Sequence, residues 1–331
     1  MPESIGAPLV KQAKHETMKT RLALFFFLLW TPALVGGAWA QPFSLQLRPQ
    51  HSFHRSVPHG NYSGITYLGR DSYAVVDDKS PTDGFYMFTI TLDSLTGEIR
   101  QVRRNGFRSS SLPNRDGEGI AYHAPTGRIL MCGEADNEIL VYDTLGHFCG
   151  ERLPQADVHG RLPANEGLES LSCSPDGHTI FTANECAPCF ITTYSADFSL
   201  KDIYKFDMDK PLANSRLIGV SEICGLSDST CLLLQREIVI PHLKIGSSAH
   251  CKIYHVTLLK EGERTGTTSK RLLASWTTRL NLTNRSFANY EGMCLGPRLK
   301  GNKRTVILVS DSQAGYKGVL KDYFKSIVFE E

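Results

Sequence analysis

The stretch EGLESLSCSPDGHTIFTANE, residues 166–185, decides the fold because it contains one complete unit of a repeat. A short apolar run is followed by Ser-Pro-Asp-Gly, then by a second apolar run that ends in Asn184 and Glu185. Short apolar runs bounded by Pro, Asp and Gly are typical of β-hairpins. The stretch therefore predicts two antiparallel strands, with Glu169 at the start of the first and carboxylate or amide side chains at the end of the second.

The same plan returns elsewhere, in ITYLGRDSYAVVDD (65–78), GIAYHAPTGRILMCGE (119–134) and MCLGPRLKGNKRTVILVSD (293–311). Alignment on the residue before each first strand gives a ladder whose rungs are Ser63, Glu118, Glu169, Glu222 and Glu291. The rungs lie 55, 51, 53 and 69 residues apart. Repeats of this length with several strands each predict an all-β fold, a β-propeller.

The number and closure of the blades follow from the same spacing. Five repeat units can be counted, and a sixth, divergent blade would have to lie in the 69-residue step, which is short for two blades. The residues before the first rung and after the last together make one unit. We therefore expect the ring to be closed by pairing of N-terminal with C-terminal strands.

The N-terminus has a different character from the repeat. Residues 18–40 combine a basic start, an apolar run and the end Ala-Trp-Ala, the pattern of a secretory signal peptide. Pro32 and the glycine pair 36–37 interrupt the run before it reaches the roughly 20 residues that a membrane span needs. We predict an N-terminal extension and signal peptide over 1–40, with Met18 as the true start. A single domain over 41–331 would then be secreted or periplasmic, with no stable membrane span after cleavage.

A second ladder follows the first by about one hairpin, at the ends of the second strands. It contains Asp77 and Asp78, Glu134, Asn184 and Glu185, Arg236 and Glu237, and Asp311. Adjacent strands of a hairpin run in opposite directions, so the start of one and the end of the next lie at the same edge. Both ladders are therefore expected to meet at one rim of the ring, near its axis.

A ring of carboxylates cannot remain ionised without compensation, because like charges at short range raise pKa values or recruit cations. Oxygen ligands from several loops suit a hard cation such as calcium, which takes about six to eight of them. Calcium is the predicted cofactor, with candidate ligands Glu118, Glu169, Glu222, Glu291, Asp78 and Asp311. The structural alternative, which the sequence leaves open, is that these glutamates accept backbone N–H groups and join blade to blade.

Basic residues in the same segments suggest an anionic substrate. Lys79, Arg115 and Arg236 are the predicted substrate-binding residues, either by direct contact or by offsetting charge around a metal. The alternative for each is a surface ion pair. Glu118, Glu166 and Glu185 are the candidate catalytic residues, and Glu166 lies outside the ladder register.

The charge and the cysteines of the chain mainly exclude some partners and metals. The formal net charge is +2 and the basic residues are scattered, so nucleic acid is not expected as a partner. Nine cysteines follow the predicted signal. Cys224 and Cys231 flank a tight hairpin, and the pair Cys186 and Cys189 indicates a loop disulfide or buried thiols rather than zinc.

Five stretches together resemble the phytase-like family, described as having esterase-like activity of phytase: SGITYLG with YAVVDDKSPTDGFY, RDGEGIAY, NEGLESLSCSPDG, GVSEICGL with LLLQRE, and NYEGMCLGP with VILVSD. The resemblance implies an exported β-propeller that hydrolyses phosphate esters such as phytate. Three functions stay open: a metal-assisted phosphoric ester hydrolase, a non-catalytic ligand-binding propeller, and a carboxylic ester or lactone hydrolase on the same rim. The expected partner is a small anionic substrate, and the expected state is a monomer.

Overall fold

The computed structural model describes residues 45–163, 166–283 and 285–330. The predicted signal peptide lies outside these residues. The strands, in chain order, are β1 (Gln46–His51), β2 (Tyr62–Gly69), β3 (Ser72–Asp77), β4 (Gly84–Leu92), β5 (Ile99–Ser109), β6 (Gly117–His123), β7 (Arg128–Gly133), β8 (Ile139–Tyr142), β9 (Phe148–Arg152), β10 (Leu168–Cys173), β11 (Thr179–Asn184), β12 (Cys189–Ser195), β13 (Leu200–Phe206), β14 (Leu217–Gly225), β15 (Thr230–Val239), β16 (Ser248–Lys260), β17 (Thr265–Arg279), β18 (Asn289–Leu299), β19 (Lys303–Asp311) and β20 (Phe324–Glu330). Helical structure among the described residues is limited to a 3₁₀ turn, His159–Arg161, and α1 (Tyr316–Val319).

The hairpins form where the sequence predicts them. β10 and β11 pair antiparallel across the Ser-Pro-Asp-Gly turn. Asp176 Oδ1 accepts hydrogen bonds from the Ser174 hydroxyl and the His178 amide, and Gly177 adopts a positive φ of 76°. Such a φ favours glycine because it has no Cβ. Every residue of β11 is buried, as expected for a strand covered on both faces.

Each blade is a four-stranded antiparallel sheet. β2–β5 and β6–β9 form the first two blades, and β10–β13 and β14–β17 form the next two. In the fifth blade, β1 pairs with β20 at the outer edge of β18, β19 and β20. The predicted closure by N- and C-terminal strands is therefore confirmed. The innermost strands β2, β6, β10, β14 and β18 contact one another in sequence, and β18 returns to β2.

The core lies between neighbouring blades. The described residues contain five hydrophobic clusters, each joining two adjacent blades. One example packs Tyr62 and Phe88 of the first blade against Ile307 and Phe324 of the fifth. Because every gap between blades has its own apolar filling, the ring is stabilised by five similar interfaces.

Elongated strands account for the long fourth step of the ladder. β16 has 13 residues and β17 has 15, longer than the strands of the other blades. The extra length lets β17 pair in parallel with β13 through Ile203↔Thr265 and its two neighbours. The third and fourth blades thus form one eight-stranded sheet, and the described chain has five blades, without a sixth.

All nine cysteines lie within the described residues and are unpaired. Cys224 faces Leu232 and Cys231 faces Gly225, so the hairpin register offsets these two thiols rather than joining them. Cys189 is buried and Cys186 is half-buried. A search of the described residues for a helix of sufficient length and apolarity to span a membrane finds none.

Candidate functional site: the acidic mouth

The starts of the inner strands and the ends of the second strands lie at one end of the ring. In the hairpin registers, Asn184 faces Leu168, Asp311 faces Asn289, and Asp77 faces Tyr62. The two ladders of polar residues therefore meet around the axis. We call this region the acidic mouth and define it by its carboxylates, which are Asp78, Asp116, Glu118, Glu134, Glu169, Glu185, Glu291 and Asp311.

A β-bulge places the first ladder at this end. Each inner strand has an irregular register here; in β10 the shift lies between Leu168 and Ser170, which leaves Glu169 as the extra residue. A bulge turns the extra side chain out of the strand alternation, and so Glu169 points to the mouth while its neighbours pack in the core. Glu118 and Glu291 lie within the same irregularity of β6 and β18.

The fourth rung differs from the sequence alignment by one residue. In β14 the shift lies between Val220 and Glu222, so Ser221, rather than Glu222, is equivalent to Glu169. Glu222 occupies the following position, which the other blades fill with small residues, namely Gly64, Gly119, Ser170 and Gly292. Spacing alone aligns Glu222 with the other glutamates because a bulge is invisible in the sequence.

The side chain of Glu222 is fully buried between inner strands. Its Oε1 accepts hydrogen bonds from the backbone N–H of Leu171 in the third blade (3.1 Å) and of Ile223 in its own (3.0 Å). Burial raises the pKa of Glu222 well above its usual range. This glutamate joins blade to blade, as the structural alternative expects, and its assignment as a metal ligand stays a prediction.

Arg236 binds the carboxylates on one half of the mouth. Its Nη2 donates to Glu169 Oε1 (3.0 Å) and Glu185 Oε1 (2.9 Å), and its Nη1 donates to Glu291. Only 4% of the Arg236 side chain is exposed. Burial would lower the pKa of Arg236, but the three carboxylates outweigh it and raise that pKa well above its usual range. The predicted rim residue is thus a buried cation shared by three blades.

Lys79 is the cation on the other half. Its Nζ lies 2.6 Å from Asp116 Oδ1 and 2.9 Å from Asp78 Oδ2, and 61% of its side chain is exposed. Burial opposes protonation, yet the hydrogen bonds to Asp116 and Asp78 raise the pKa of Lys79. Ligand oxygens of Asp78, Asp116 and Glu118 all lie within 4.8 Å of one another. These three residues are called the acidic triad below.

The carboxylates of the mouth outnumber its two cations, and their pKa values respond. Burial, followed by the charges of Glu169 and Glu291, raises the pKa of Glu118 well above its usual range. Burial and then Glu291 do the same for the pKa of Asp311. Burial also raises the pKa of Asp78 against the opposing effect of Lys79. Protonation or a bound cation is needed to relieve this repulsion.

Two predicted residues, Arg115 and Glu166, lie apart from this arrangement, whereas Asp311 belongs to it. Arg115 is buried and forms a bidentate pair with Asp136 (2.6 and 2.8 Å), with a further bond to the Tyr142 hydroxyl. Its guanidinium therefore links segments within the second blade. Glu166 is half-buried in the loop before β10, near Cys186. Asp311 lies at the mouth, where its Oδ1 accepts the Gln313 amide (2.5 Å).

Two residues of the candidate site escaped the sequence reasoning. Asp116 stands two residues before the rung Glu118 and takes a left-handed φ of 56°, which brings it beside Lys79. Asn289 stands two residues before Glu291 and accepts from Arg236 Nη1 (3.0 Å). Both share one signal, a polar side chain two residues before a rung, and that signal was available in the sequence.

The acidic triad suits a hard divalent cation. All its donors are carboxylate oxygens, and Asp78 Oδ1 is a buried atom without a hydrogen-bond partner among the described residues. Oxygen donors of this kind are those that calcium prefers. A cation bound there would compete with Lys79 for Asp78 and Asp116. On the other half, Arg236 already satisfies Glu169, Glu185 and Glu291.

The family model described as Phytase-like, Esterase-like activity of phytase, matches residues 57–313. The chain belongs to the phytase-like family. The match extends from before β2 to just beyond β19 and so includes all of the acidic mouth. It supports a hydrolase-like propeller without naming the bond that is cleaved.

No protein with a curated description matches the chain. Among solved structures it is similar to Kuenenia stuttgartiensis hydrazine synthase, with 12% identity, 80% of each chain covered and a TM-score of 0.39. It is also similar to a streptogramin B lyase, with 12% identity, 87% of this chain and 98% of that chain covered and a TM-score of 0.38. A nidogen/laminin complex gives 11% identity, 76% and 77% coverage and a TM-score of 0.39. The strand topology of the chain itself defines the propeller.

Proposed function

We propose that the acidic mouth is the active site of a metal-assisted hydrolase of phosphate esters. The observation that carries this proposal is the charge balance, with eight carboxylates facing Arg236 and Lys79. An anionic substrate would be repelled from such a site unless a further cation were bound. The family match supports a hydrolase, and the triad supplies ligands for the cation.

A calcium ion held by Asp78, Asp116 and Glu118 would supply positive charge to a phosphate and to the charge that develops on it during hydrolysis. With its aspartate partners engaged, Lys79 can turn its exposed ammonium towards the phosphate. A lysine ammonium binds phosphate as a point charge. Arg236 has a different role, because its buried guanidinium holds Glu169, Glu185 and Glu291 in place.

One carboxylate handles the proton of the reaction. Glu118 is a calcium ligand in this arrangement and is ionised there, because a bound cation favours the charged form of a carboxylate. Glu185, oriented by Arg236, is the candidate to accept the proton of the attacking water. The ester P–O bond breaks as the water oxygen bonds to phosphorus. The leaving alkoxide then takes the proton that the base removed from the attacking water. Glu166, in the loop before β10, is the second candidate base.

The test is phosphate release from p-nitrophenyl phosphate by the full chain, with calcium and after EDTA treatment. We expect activity only with the metal, and a loss of at least about 100-fold in Asp116→Asn, which removes a triad ligand. The matched control is Asp176→Asn. It alters an exposed group of possible metal ligands, Asp176, His178 and Asp228, on two hairpin turns, and should retain full activity.

Release of p-nitrophenol from the acetate ester but not from the phosphate would assign the mouth to carboxylic esters. Absence of turnover on both, together with a melting temperature that EDTA leaves unchanged, would overturn the proposal and favour a binding propeller.

A further inference from the structure

A cavity of about 840 Å³ lies beside the acidic mouth, over the fourth and fifth blades. Its walls are largely aliphatic and come from the ends of β14 and β15, the segment 240–247, and the segment 316–320. Asn289 and Asp311, which belong to the mouth, also line it. The cavity and the mouth therefore adjoin, with the Asn289 amide between the cavity and Arg236.

Three apolar side chains of this cavity are open to solvent. Leu243 is 77% exposed, and Ile240 and Ile245, on the same loop, are also among the exposed large apolar residues of the described chain. Three such residues on one loop, facing a cavity of ligand size, form an apolar surface that the other described residues leave uncovered. Concave surfaces of this composition are typical of ligand-binding pockets.

Cations stand at the margin of the cavity. Arg216, Lys244 and Lys317 line it and are exposed. None of them forms an ion pair with a carboxylate of the described residues, and the Lys244 ammonium instead contacts the Tyr316 hydroxyl at 2.6 Å. A ligand that carries negative charge near an apolar group would match both features.

One wall is held in an uncommon backbone conformation. Gln313, Ala314 and Lys317 adopt positive φ values of 50°, 52° and 51°. Hydrogen bonds fix the segment, since Ala314 N–H donates to Gly60 O (3.0 Å) and Gly315 N–H donates to Ser312 Oγ (2.9 Å). Non-glycine residues kept in the left-handed region by their surroundings cluster at functional sites.

We propose that this cavity takes the apolar group of an amphiphilic phosphate monoester whose phosphate lies in the acidic mouth. The inference rests on the proposed function and narrows its substrate class. A phosphate on an alkyl chain or an aromatic ring fits a site with an aliphatic cavity on one side and, on the other, Lys79 and carboxylates able to hold a cation. A polyol phosphate such as phytate has no apolar group to place there.

The experiment compares octyl phosphate with glycerol phosphate, each below the concentration at which it aggregates, using the calcium-loaded full chain. Burial of several methylene groups should raise kcat/KM for octyl phosphate by at least about tenfold over glycerol phosphate. Leu243→Asp and Ile245→Asp should abolish this preference and leave glycerol phosphate turnover unchanged. The matched control is Leu95→Asp, at a 65% exposed leucine of the first blade, which should keep the preference.

Failure of this inference is separable from failure of the proposed function. Equal turnover of the two phosphates, unaltered by Leu243→Asp, would overturn the cavity assignment and leave the hydrolase intact. If neither phosphate is hydrolysed, calorimetric titration with octyl phosphate decides. Binding that Leu243→Asp weakens and Leu95→Asp preserves would support the cavity, and absence of binding would overturn it.

Discussion

Around Arg236, three carboxylates from different segments share one buried guanidinium, whereas around Lys79 two aspartates share an ammonium whose side chain is 61% exposed. The carboxylates of the first half are bound by a buried cationic side chain. Those of the second half are bound by an exposed one that can move away. We therefore propose a structural role for Arg236 and an exchange of ligands at Lys79.

Removal of Arg236 tests the closed half and should have the largest effect. Arg236→Met leaves Glu169, Glu185 and Glu291 buried without their cation, and the loss of one partner of a buried pair typically costs about 3–5 kcal/mol. We expect a loss of that size in the free energy of unfolding, measured by denaturant titration at pH 8. The loss should shrink at pH 5, because burial raises the pKa values of Glu169 and Glu291 and protonation removes their uncompensated charge.

The control for this prediction is Arg100→Met. Arg100 pairs with Asp93 and Glu98 on the surface and is 54% exposed, so its removal should leave the free energy of unfolding nearly unchanged. Similar losses in the two variants would mean that burial does not distinguish Arg236 from a surface arginine.

The pH dependence of the free energy of unfolding tests the repulsion among the carboxylates of the whole mouth. Because burial and neighbouring carboxylates raise the pKa of Glu118 above its value in the unfolded chain, the folded protein holds the extra proton between those two values. The free energy of unfolding therefore falls as pH rises through that window, which begins at about pH 4.3. Glu118→Gln carries no charge, so its melting temperature in EDTA should fall less than that of the wild type between pH 5 and 8.

Other groups titrate in the same pH range, so the prediction concerns the difference between the wild type and Glu118→Gln. Burial lowers the pKa of His159 to about 4, which makes stability rise with pH below about 6.5 in both proteins. Parallel melting curves for the wild type and Glu118→Gln would show that Glu118 is not under strain from its neighbours.

Substitution of Lys79 tests the open half of the mouth and should have the smallest effect of the predicted changes. If a calcium ion competes with the Lys79 ammonium for Asp78 and Asp116, Lys79→Gln should tighten calcium binding by a few-fold, measured by calorimetry. The same variant should reduce phosphate hydrolysis, because the ammonium that contacts the substrate is gone. Weaker calcium binding in Lys79→Gln would contradict the competition.

The sequence predicted the propeller well because its evidence is periodic. The alternation of apolar runs with turns such as Ser-Pro-Asp-Gly recurs in each blade, and local hydrogen bonds such as those of Asp176 are encoded within a few residues. The joining of two blades into an eight-stranded sheet depends instead on a parallel contact between strands 62 residues apart at Ile203 and Thr265. No local pattern reports that contact.

The sequence likewise predicted some features of the acidic mouth and missed others. Spacing alone placed Glu118, Glu169, Glu291, Asp78 and Asp311 at one rim, because blade repeats bring equivalent positions together. It misplaced Glu222 by one residue, since a β-bulge shifts the register without a mark in the composition. It also could not separate Arg236, which is buried in the mouth, from Arg115, which pairs with Asp136 inside its own blade.

By itself, the sequence determined the class of fold, the order of the repeats and the residue types that face the axis, because strand periodicity and turn chemistry are local. Only the tertiary structure decided which carboxylates share a cation, which atoms are buried without a partner, and where an apolar cavity adjoins the mouth. Those properties depend on distances between different blades. Such distances are set by how five sheets pack into a ring.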